Sequence, residues 1–327
     1  MRKLVIVLLS AICLVLLGFT LSSFIHVFQN YNLSAPANVG STNKTGYRLI
    51  LITQELDTPF WDKVESGASK AAAKYGAELE VWGSYGANQE DFLKNMEIAI
   101  ASKVDGILVQ GLNTDEFNQL ATVKAAENGI PIFTIANDVP IEDSLRRTYI
   151  GSDHYKAGQM IGTQLAEDLG QKGKVVLMVS DRQEDFQSKR LNGILSILKF
   201  YPNIEPITVV AGDTREKVVT ATNEIMNKEP GVAAFVSVTA NNASAMVQEI
   251  GKRAQLSRFH IYSFDDSPEI KTLLKEKKMS GIIEQSPEMM GELGVQLMVK
   301  WLQGESFPLK YDGYYTDIKL LKADELP

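Results

Sequence analysis

Amides, carboxylates and hydroxyls follow several short apolar segments of this sequence, at points where predicted strands end. In chain order the set is Thr58, Asn137, Asp138, Thr239, Asn241, Asp265 and Gln285, with Arg190 on a predicted helix and the aromatic residues Phe60 and Trp61 next to Thr58. Aromatic rings cover apolar C–H faces, whereas planar polar groups pair with vicinal hydroxyls through charge-assisted hydrogen bonds. The combination predicts a site that binds a small carbohydrate.

Residues for covalent or metal chemistry are scarce. Cysteine occurs once, as Cys13, and histidine three times, as His26, His154 and His260, so no thiol or histidine metal cluster can be assembled. No GxGxxG follows a strand, and no GxxxxGKS/T occurs, which removes the usual phosphate-binding loops. No nucleophile with an adjacent base can be named. We therefore expect a binding protein without cofactor or metal rather than an enzyme, with His154 and His260 in structural roles.

Alternating strands and helices would position the polar set. The predicted strands of the first half are Leu49–Thr53, Glu78–Trp82, Gly106–Val109 and Pro131–Ile135, with helices such as Trp61–Tyr75 and Asp91–Ser102 between them. This alternation predicts βαβ units with right-handed crossovers. It also predicts a mostly parallel sheet that helices cover on both faces.

The same alternation starts again after a break near Thr148–Asp153. The second set of strands is Lys174–Val179, Ile207–Val210, Ala233–Val238, His260–Phe264 and Gly281–Glu284, with helices near Asp185–Phe200, Glu216–Asn227, Ala243–Ala254 and Ser286–Leu302. Two doubly wound lobes of about 100–150 residues fit normal domain sizes better than one very wide sheet. The predicted fold class is therefore α/β, with two parallel-sheet lobes joined by a hinge.

The geometry of such sheets would gather the polar set in one place. Ligands of doubly wound sheets bind beyond the carboxyl ends of the strands, and the polar set follows those ends. Hinge strands are expected near Tyr149–Asp153 and Ile282–Gln285 and after Leu309. We expect the two lobes to close on a ligand, because only the closed form contacts it from both sides.

An apolar segment follows two basic residues at the N-terminus. From Leu4 to Phe28 the chain has 25 residues without Asp, Glu, Lys or Arg. At about 1.5 Å per residue this run spans the roughly 30 Å hydrocarbon core of a bilayer. With Arg2 and Lys3 cytoplasmic, the rest of the chain would lie outside. We expect a retained transmembrane anchor over residues 1–28, a flexible tether over residues 29–46, and a cell-membrane protein with its binding domain extracytoplasmic.

Two other interpretations of this segment stay open. A basic start, an apolar core and Ala35-Pro36-Ala37 are also typical of a cleaved signal peptide, although such cores usually have about 7–15 residues. Cys13 would permit a lipoprotein, but Ile12 before it is not small and the cysteine lies inside the apolar run.

Composition and charge narrow the class of partner. With 45% hydrophobic and 22% charged residues, the chain is globular rather than disordered. A formal net charge of −7 provides no positive field for phosphate backbones. A transcriptional repressor would need a basic helix-turn-helix before residue 47, where the apolar segment lies. Nucleic acid is therefore not an expected partner.

A series of motifs in chain order resembles one protein family. The motifs are "LDTPFWDKVESGASKAAAKYG", "DGILVQGLN", "IPIFTIANDVP", "YIGSDHYKAGQMIG", "RLNG", "IYSFDD" and "IIEQSPEMMG". From about residue 47 to 310 the chain is similar to the ribose-binding type of periplasmic sugar-binding protein, whose fold also occurs in lactose-repressor-like regulators. The resemblance implies a type 1 periplasmic binding protein fold. The N-terminal lobe would comprise residues 47–151 and 285–310, and the C-terminal lobe residues 152–284 and 311–327.

The resemblance also implies roles for individual residues. Phe60 and Trp61 would stack on the sugar ring, with Thr58 where an asparagine is common. Arg190 matches the binding arginine of the family, Asp265 its acidic residue, and Gln285 its hinge-side glutamine.

The chain departs from the family pattern at two places. Asn137-Asp138 stands where an Asp-Arg pair is frequent, and Thr239 with Asn241 stands where Asn-Asp is usual. Ribose itself is therefore not implied, and a pentose, a hexose, an inositol or a furanose-like signal would fit.

Each candidate also has a purely structural interpretation. Phe60 and Trp61 could pack on the core at a helix start, Asp265 could cap a helix, and Arg190 could be solvated. Asn137 and Asp138 before Pro140 form a natural turn, and Gln285 before Ser286-Pro287 could be plain loop. We favour ligand binding for these residues, and both interpretations stay open for Thr239 and Asn241.

The expected function joins the anchor to the binding lobes. Anchored members of the family that resemble this chain associate with sensor histidine kinases, so we expect a sensor that reports ligand occupancy to a membrane partner. The alternative is the substrate-binding component of an ABC sugar transporter, which delivers its ligand to a permease.

Overall fold

A computed structural model describes residues 18, 46–86, 88–181, 184–212, 214–264 and 267–326, with only the backbone at Asn241. Gly46–Pro327 is one compact unit. A membrane-crossing helix, long and apolar enough for that purpose, is not found among these residues. The predicted anchor and tether fall almost wholly outside them.

The first sheet contains six strands, all of them parallel. They are β1 (Arg48–Thr53), β2 (Glu78–Gly83), β3 (Gly106–Gln110), β4 (Ile132–Ile135), β5 (Thr148–Ser152) and β11 (Tyr314–Thr316), in the spatial order β11-β5-β4-β3-β1-β2. Along β1, Leu49 and Leu51 pack in one core cluster, and Ile50 and Ile52 pack in another. Both faces of the sheet are therefore buried, which explains the continuous apolar runs of the strands.

The second sheet repeats this arrangement. Its strands are β6 (Gly173–Val179), β7 (Ile204–Val210), β8 (Val232–Ser237), β9 (His260–Phe264), β10 (Gly281–Glu284) and β12 (Lys319–Leu321), in the order β12-β10-β9-β8-β6-β7. Only β12 is antiparallel to its neighbour, β10. The prediction of two lobes with mostly parallel sheets is confirmed.

Ten α-helices lie within the described residues. They are α1 (Pro59–Tyr75), α2 (Gln89–Ala101), α3 (Asp115–Gln119), α4 (Ile141–Ser144), α5 (His154–Asp168), α6 (Asp185–Leu198), α7 (Arg215–Lys228), α8 (Ala240–Arg253), α9 (Pro268–Lys275) and α10 (Pro287–Leu302). A π-helical segment, Leu120–Ala125, continues α3, and Leu256–Arg258 and Ala323–Glu325 are 3₁₀-helical. Side chains that accept a backbone N–H cap six of the α-helices, from Thr58, Asn88, Thr114, Asp153, Thr214 and Ser267.

The chain passes between the lobes three times. It leaves the first sheet after β5, returns before α10, and crosses again between β11 and β12. The first two crossings coincide with the hinge strands expected near Tyr149–Asp153 and Ile282–Gln285. The prediction assigned residues 311–327 to the C-terminal lobe, whereas Tyr314–Thr316 pairs with β5, because β11 adds to the free edge of the first sheet before the chain crosses.

Two glycine-lined helix contacts lie next to the crossings. In the first lobe, a Cβ on Gly291 of α10 would lie 1.9 Å from the carbonyl oxygen of Val64 in α1. In the second lobe, a Cβ on Gly193 of α6 would lie 2.2 Å from the carbonyl oxygen of Tyr155 in α5. Only glycine permits these backbones to approach so closely, so each lobe contains one tightly packed helix pair.

Candidate functional site

A cleft of about 440 Å³ lies where the carboxyl ends of strands from both lobes meet. The first lobe contributes Gln54, Gln89, Gly111, Leu112, Asn113, Thr114, Asn137 and Asp138, and the second contributes Glu184 and Asp185. Gln54 follows β1 and Gly111 follows β3, the neighbouring strands at which the strand order reverses. Such switch points bind ligands in open α/β sheets, and the volume suits a small molecule.

Asp138 is the best-anchored residue of the cleft. Its Oδ1 accepts a hydrogen bond of 2.7 Å from the Thr134 hydroxyl, and its Oδ2 accepts one of 2.7 Å from Nη2 of Arg146. The two side chains of this ion pair are only 11% and 6% exposed. Arg146 also donates to the carbonyl oxygens of Val139 and Tyr311. The carboxylate is therefore held rigidly at the cleft, with remaining lone pairs that can accept from a ligand hydroxyl.

The neighbouring loop is fixed by its backbone. Ala136 has φ 63°, in the left-handed region, and its N–H donates to the carbonyl of Ile150 at 2.9 Å. The carbonyl of Asn137 accepts from the N–H of Gly111 at 3.0 Å, and a Cβ on Gly111 would lie 2.7 Å from that oxygen. The loops after β3 and β4 are thus joined, and they present Asn137 and Asp138 to the cleft as predicted from the sequence.

Gln54 is a cleft residue that the sequence analysis missed. Its backbone N–H donates to Oε1 of Gln110, and its carbonyl accepts from the Ser84 hydroxyl. Its side-chain Nε2 is buried and has no hydrogen-bond partner. A buried amide without a partner costs about 1–3 kcal/mol, so Gln54 is poised to donate to a ligand acceptor. Its position directly after a buried strand was the sequence signal that could have predicted it as a site residue.

The aromatic pair lies in the first-lobe core. Trp61 is buried among core residues of α1 and α10, and Phe60 packs partly buried against the same cluster. Their ring centroids are 5.5 Å apart in an edge-to-face arrangement. Thr58 caps α1 by accepting the N–H of Trp61 at 3.3 Å. Thr58, Phe60 and Trp61 are not among the described residues that line the cleft. Their contact with a sugar ring therefore stays a prediction.

Arg190 is buried in the second lobe rather than solvated. Its guanidinium carbon lies 4.7 Å from the ring centroid of Phe186 and 4.2 Å from that of Phe264, in cation–π contact with both. Nη1 donates to the carbonyl of Val238 at 3.0 Å, and Nε donates to Nδ1 of His154 at 3.3 Å. The arginine is thus held at the carboxyl ends of β8 and β9, and its contact with a ligand stays a prediction.

Unpartnered polar atoms cluster at the start of α8. The Thr239 hydroxyl is buried without a partner, although it directly precedes the helix. Asn242 is only 1% exposed, and both polar atoms of its amide lack partners. Thr239 and Asn241 were predicted site residues, and only the backbone of Asn241 is described, whereas Asn242 was not predicted. The phase of the helix, which places residue 242 inward, was the missing information.

The remaining predicted residues concern the hinge and an undescribed loop. Gln285 is buried, and its Oε1 accepts from the Ser152 hydroxyl at 2.9 Å, which joins two segments that cross between the lobes. This contact agrees with its predicted hinge-side position. Asp265 lies outside the described residues.

A buried network surrounds the crossing after β5. The Tyr149 hydroxyl lies 3.0 Å from the Ala136 carbonyl and 3.1 Å from that of Ser152. Burial raises the pKa of the Tyr149 phenol well above its usual value, so the group remains protonated. Burial, together with the Arg190 guanidinium, holds the pKa of the His154 imidazole well below its usual range. His154 is therefore neutral at physiological pH.

Metal chemistry is not supported by the described part of the chain. Within it, no group of three or more His, Cys, Asp or Glu side chains could hold a metal ion. The arrangement can bind a small polar molecule through fixed amides and carboxylates.

Residues 49–306 match the family model of the periplasmic binding protein domain. The chain belongs to this family. The chain is similar to two proteins that are both named ribose import binding protein RbsB. The one from Bacillus subtilis (strain 168) is 23% identical over 286 residues, which cover 85% of this chain and 90% of the relative. The one from Salmonella typhimurium is 25% identical over 300 residues, covering 88% of this chain and 94% of the relative.

Solved structures of other proteins have the same fold. GanP, a glucose-galactose binding protein from Geobacillus stearothermophilus, has a TM-score of 0.81 and 30% identity, and the match covers 87% of this chain and 100% of that chain. A chain of the XylFII-LytSN complex has a TM-score of 0.77 and 24% identity, with coverages of 86% and 99%. GanP and the two RbsB proteins are named binding proteins, and the expectation that this chain is a binding protein rather than an enzyme is confirmed.

Proposed function

We propose that this protein binds a small carbohydrate in the cleft, and that closure of the two lobes on the sugar is its signal. The observation that carries the proposal is the cleft itself, where fixed amides and carboxylates of the first lobe face acidic groups of the second. Three crossings of the chain provide the hinge about which the lobes can close.

The polar inventory favours a sugar over an apolar ligand. Asp138 and Asn137 supply fixed acceptors and an amide, and Gln54 supplies an unpartnered donor. A sugar with matching hydroxyls would satisfy these groups, whereas an epimer would leave one unpaired at about 1–3 kcal/mol. The names of the similar proteins, which bind ribose or glucose and galactose, support the same class of ligand.

The proposed setting is the outer face of the cell membrane. The apolar, uncharged run from Leu4 to Phe28 supports a retained anchor, and the polar residues after it support a tether for the binding unit. An anchored binding protein has limited reach, which suits a membrane partner that reads its ligand state. We therefore propose a sensor histidine kinase as the partner.

Similarity to XylFII, which has been solved in a complex with LytSN, supports the view that this fold can hold a protein partner. The alternative is delivery of sugar to an ABC permease. It is favoured by the names of the ribose import binding proteins.

The binding test is titration calorimetry of the full-length protein against aldopentoses, aldohexoses, inositols and furanose signals. We expect saturable binding of one sugar at micromolar or tighter affinity. Gln54→Met, which keeps the side-chain length and removes the amide, should weaken binding about fivefold to tenfold. Gln303→Met, in the C-cap residue after α10, is the matched control and should bind like the wild type. A folded wild type that binds no sugar would refute the proposal.

The setting and the partner need separate tests. Mass spectrometry of the N-terminus of membrane-extracted protein should find residues 1–37 still attached. Their removal would contradict the anchored sensor and favour a released binding protein. Crosslinking in membranes with and without sugar should then capture a kinase rather than a permease, and capture of a permease alone would favour the transport alternative.

A further inference from the structure

His154 is a buried histidine at the crossing between the lobes. It is the first residue of α5, directly after the crossing from β5, and it is only 5% exposed. Its ring packs against Phe186, with the ring centroids 5.7 Å apart. Both ring nitrogens have hydrogen-bond partners, and those partners belong to different lobes.

The partners determine the tautomer of the ring. Nε of Arg190 can only donate, and it lies 3.3 Å from Nδ1 of His154. The carbonyl oxygen of Ala136 can only accept, and it lies 3.0 Å from Nε2. The ring is therefore neutral, with its proton on Nε2 and its lone pair on Nδ1. A second proton would place a donor against the guanidinium and break that bond.

On the Nδ1 side of His154, the contacts extend through Arg190 to the carboxyl edge of the second sheet. The guanidinium of Arg190 lies between the rings of Phe186 and Phe264 and donates to the Val238 carbonyl. The rings and the carbonyl confine the plane of the guanidinium. The bond from Nε to Nδ1 of His154 further restricts its rotation within that plane, and so helps to fix the direction of the guanidinium N–H groups.

On the Nε2 side of His154, the contacts extend through the Ala136 carbonyl to the wall of the cleft in the first lobe. Ala136 adopts a left-handed backbone conformation, and its carbonyl also lies 3.0 Å from the Tyr149 hydroxyl. The next two residues, Asn137 and Asp138, line the cleft. A change in the position of this carbonyl would therefore move the cleft wall.

We propose that His154 is the positioning residue that couples Arg190 of the second lobe to the Asn137–Asp138 wall of the first. It holds the guanidinium in one orientation relative to that wall when the lobes close. This inference rests on the proposed function, because it concerns how the same cleft binds its sugar. From the sequence alone, His154 was expected to have a structural role only.

Two substitutions separate the two bonds of His154. His154→Asn keeps an acceptor near the position of Nδ1 and loses the donor to Ala136. His154→Gln keeps a donor near the position of Nε2 and loses the acceptor for Arg190. We expect sugar affinity to fall about tenfold in His154→Ala and about threefold to fivefold in each conservative variant.

The matched control is His260→Ala. His260 is partly exposed at the start of β9 and lies near Asp168, away from the cleft residues. Its removal should leave sugar affinity unchanged. If all three His154 variants bind the sugar like the wild type, the coupling role is refuted. If all three lose affinity equally, and in proportion to their loss of melting temperature, His154 is only structural and the inference is equally refuted.

The imidazole nitrogen spectrum provides a readout that simple destabilisation does not mimic. The chain contains three histidines, so full-length protein labelled with nitrogen-15 histidine gives few signals, which His154→Asn and His260→Ala assign. We expect a neutral ring with the proton on Nε2, and a shift of the Nδ1 resonance when the sugar identified by calorimetry is added. A ring protonated at about pH 7, or a resonance that ignores the sugar, would overturn the inference. Failure of the wild type to bind any sugar refutes the proposed function, whereas binding with unaffected variants refutes only this inference.

Discussion

The two lobes have the same topology but prepare their sides of the binding region differently. In the first lobe, the Asp138 carboxylate is bonded to Thr134 and Arg146, and the Asn137 carbonyl is bonded to Gly111. In the second lobe, Thr239 and Asn242 at the start of α8 carry three buried polar atoms without partners. The first lobe is thus largely preorganised, and the second retains groups that a ligand or the opposite lobe can satisfy.

This difference bears on the proposed closure of the lobes on a ligand. A preorganised wall reduces the ordering cost of binding, because its side chains are already fixed. Unpartnered groups on the other lobe destabilise the unliganded form, and under the proposed function closure on a ligand would gain free energy if it satisfied them. The first lobe also has buried atoms without partners, namely Gln54 Nε2 at the cleft and, away from the residues that line it, Asn118 Oδ1 and Thr316 Oγ1.

The largest expected effect comes from breaking the anchored pair of the first lobe. Arg146→Met leaves the Asp138 carboxylate buried and unpaired, so we expect the free energy of unfolding to fall by about 3–5 kcal/mol. Urea denaturation measures the change. Lys124→Met removes one partner of the exposed pair with Glu97 and should leave stability nearly unchanged. Equal effects of the two substitutions would show that the first-lobe wall is not anchored by this pair.

A matched pair of threonine substitutions should change stability in opposite directions. Thr134→Val removes a hydrogen bond to a carboxylate and should lower the free energy of unfolding by about 1.5–3 kcal/mol. Thr239→Val removes a buried hydroxyl without a partner and should raise it by up to about 1 kcal/mol. Both values come from the same denaturation series. Two losses of similar size would contradict the contrast between the lobes.

Asn242→Leu sharpens the comparison on the second lobe. Leucine has the same heavy-atom branching as asparagine and removes two unpartnered polar atoms, so we expect a gain in stability of about 1–2 kcal/mol. If the amide contacts the sugar, affinity measured by calorimetry falls in the same variant. A loss of stability would mean that Asn242 already has a structural partner.

The smallest expected effect is a pH dependence at the crossing. The pKa of His154 is depressed in the folded protein, so the unfolded chain binds its proton first as the pH falls. The contribution of the neutral His154 to the free energy of unfolding is therefore complete above the usual histidine pKa. It decreases as the pH falls below that value, by about 1 kcal/mol between pH about 6.5 and about 5.5. His154→Asn should remove this part of the slope. An unchanged slope in the variant would assign the pH dependence to other groups.

Most of the framework follows from the sequence because both faces of each sheet are buried. Continuous apolar runs such as Leu49–Thr53 and His260–Phe264 predicted strands that agree with β1 and β9 to within one residue. The three-residue strands β11 and β12 were seen only as a segment after Leu309. The sequence from Tyr314 to Leu321 has no apolar run, and these strands exist because sheet edges were available for pairing.

The site was predicted less completely than the framework. Asn137 and Asp138 were found because they follow a clear strand. Arg146 was missed because its role depends on a turn that returns it to Asp138 and to the Tyr311 carbonyl. Trp61 shares a buried stripe with Val64 and Ala68 at helical spacing, and its expected contact with a sugar stays a prediction. Helix phase and long-range contacts, which local patterns do not contain, decide these positions.

The three crossings also determine the order in which the lobes are completed as the chain is synthesised. The second lobe is nearly continuous from α5 to β10 and lacks only β12 until the chain ends. The first lobe begins the chain, yet its core includes Met290, Val295 and Met298 of α10, and its sheet includes β11. The lobe that leaves the ribosome first therefore cannot complete its core until β10 of the second lobe has been synthesised, and β12 completes the second sheet only after β11 has completed the first. A chain truncated before residue 287 would expose the first-lobe core to chaperones and proteases while the second lobe is almost complete.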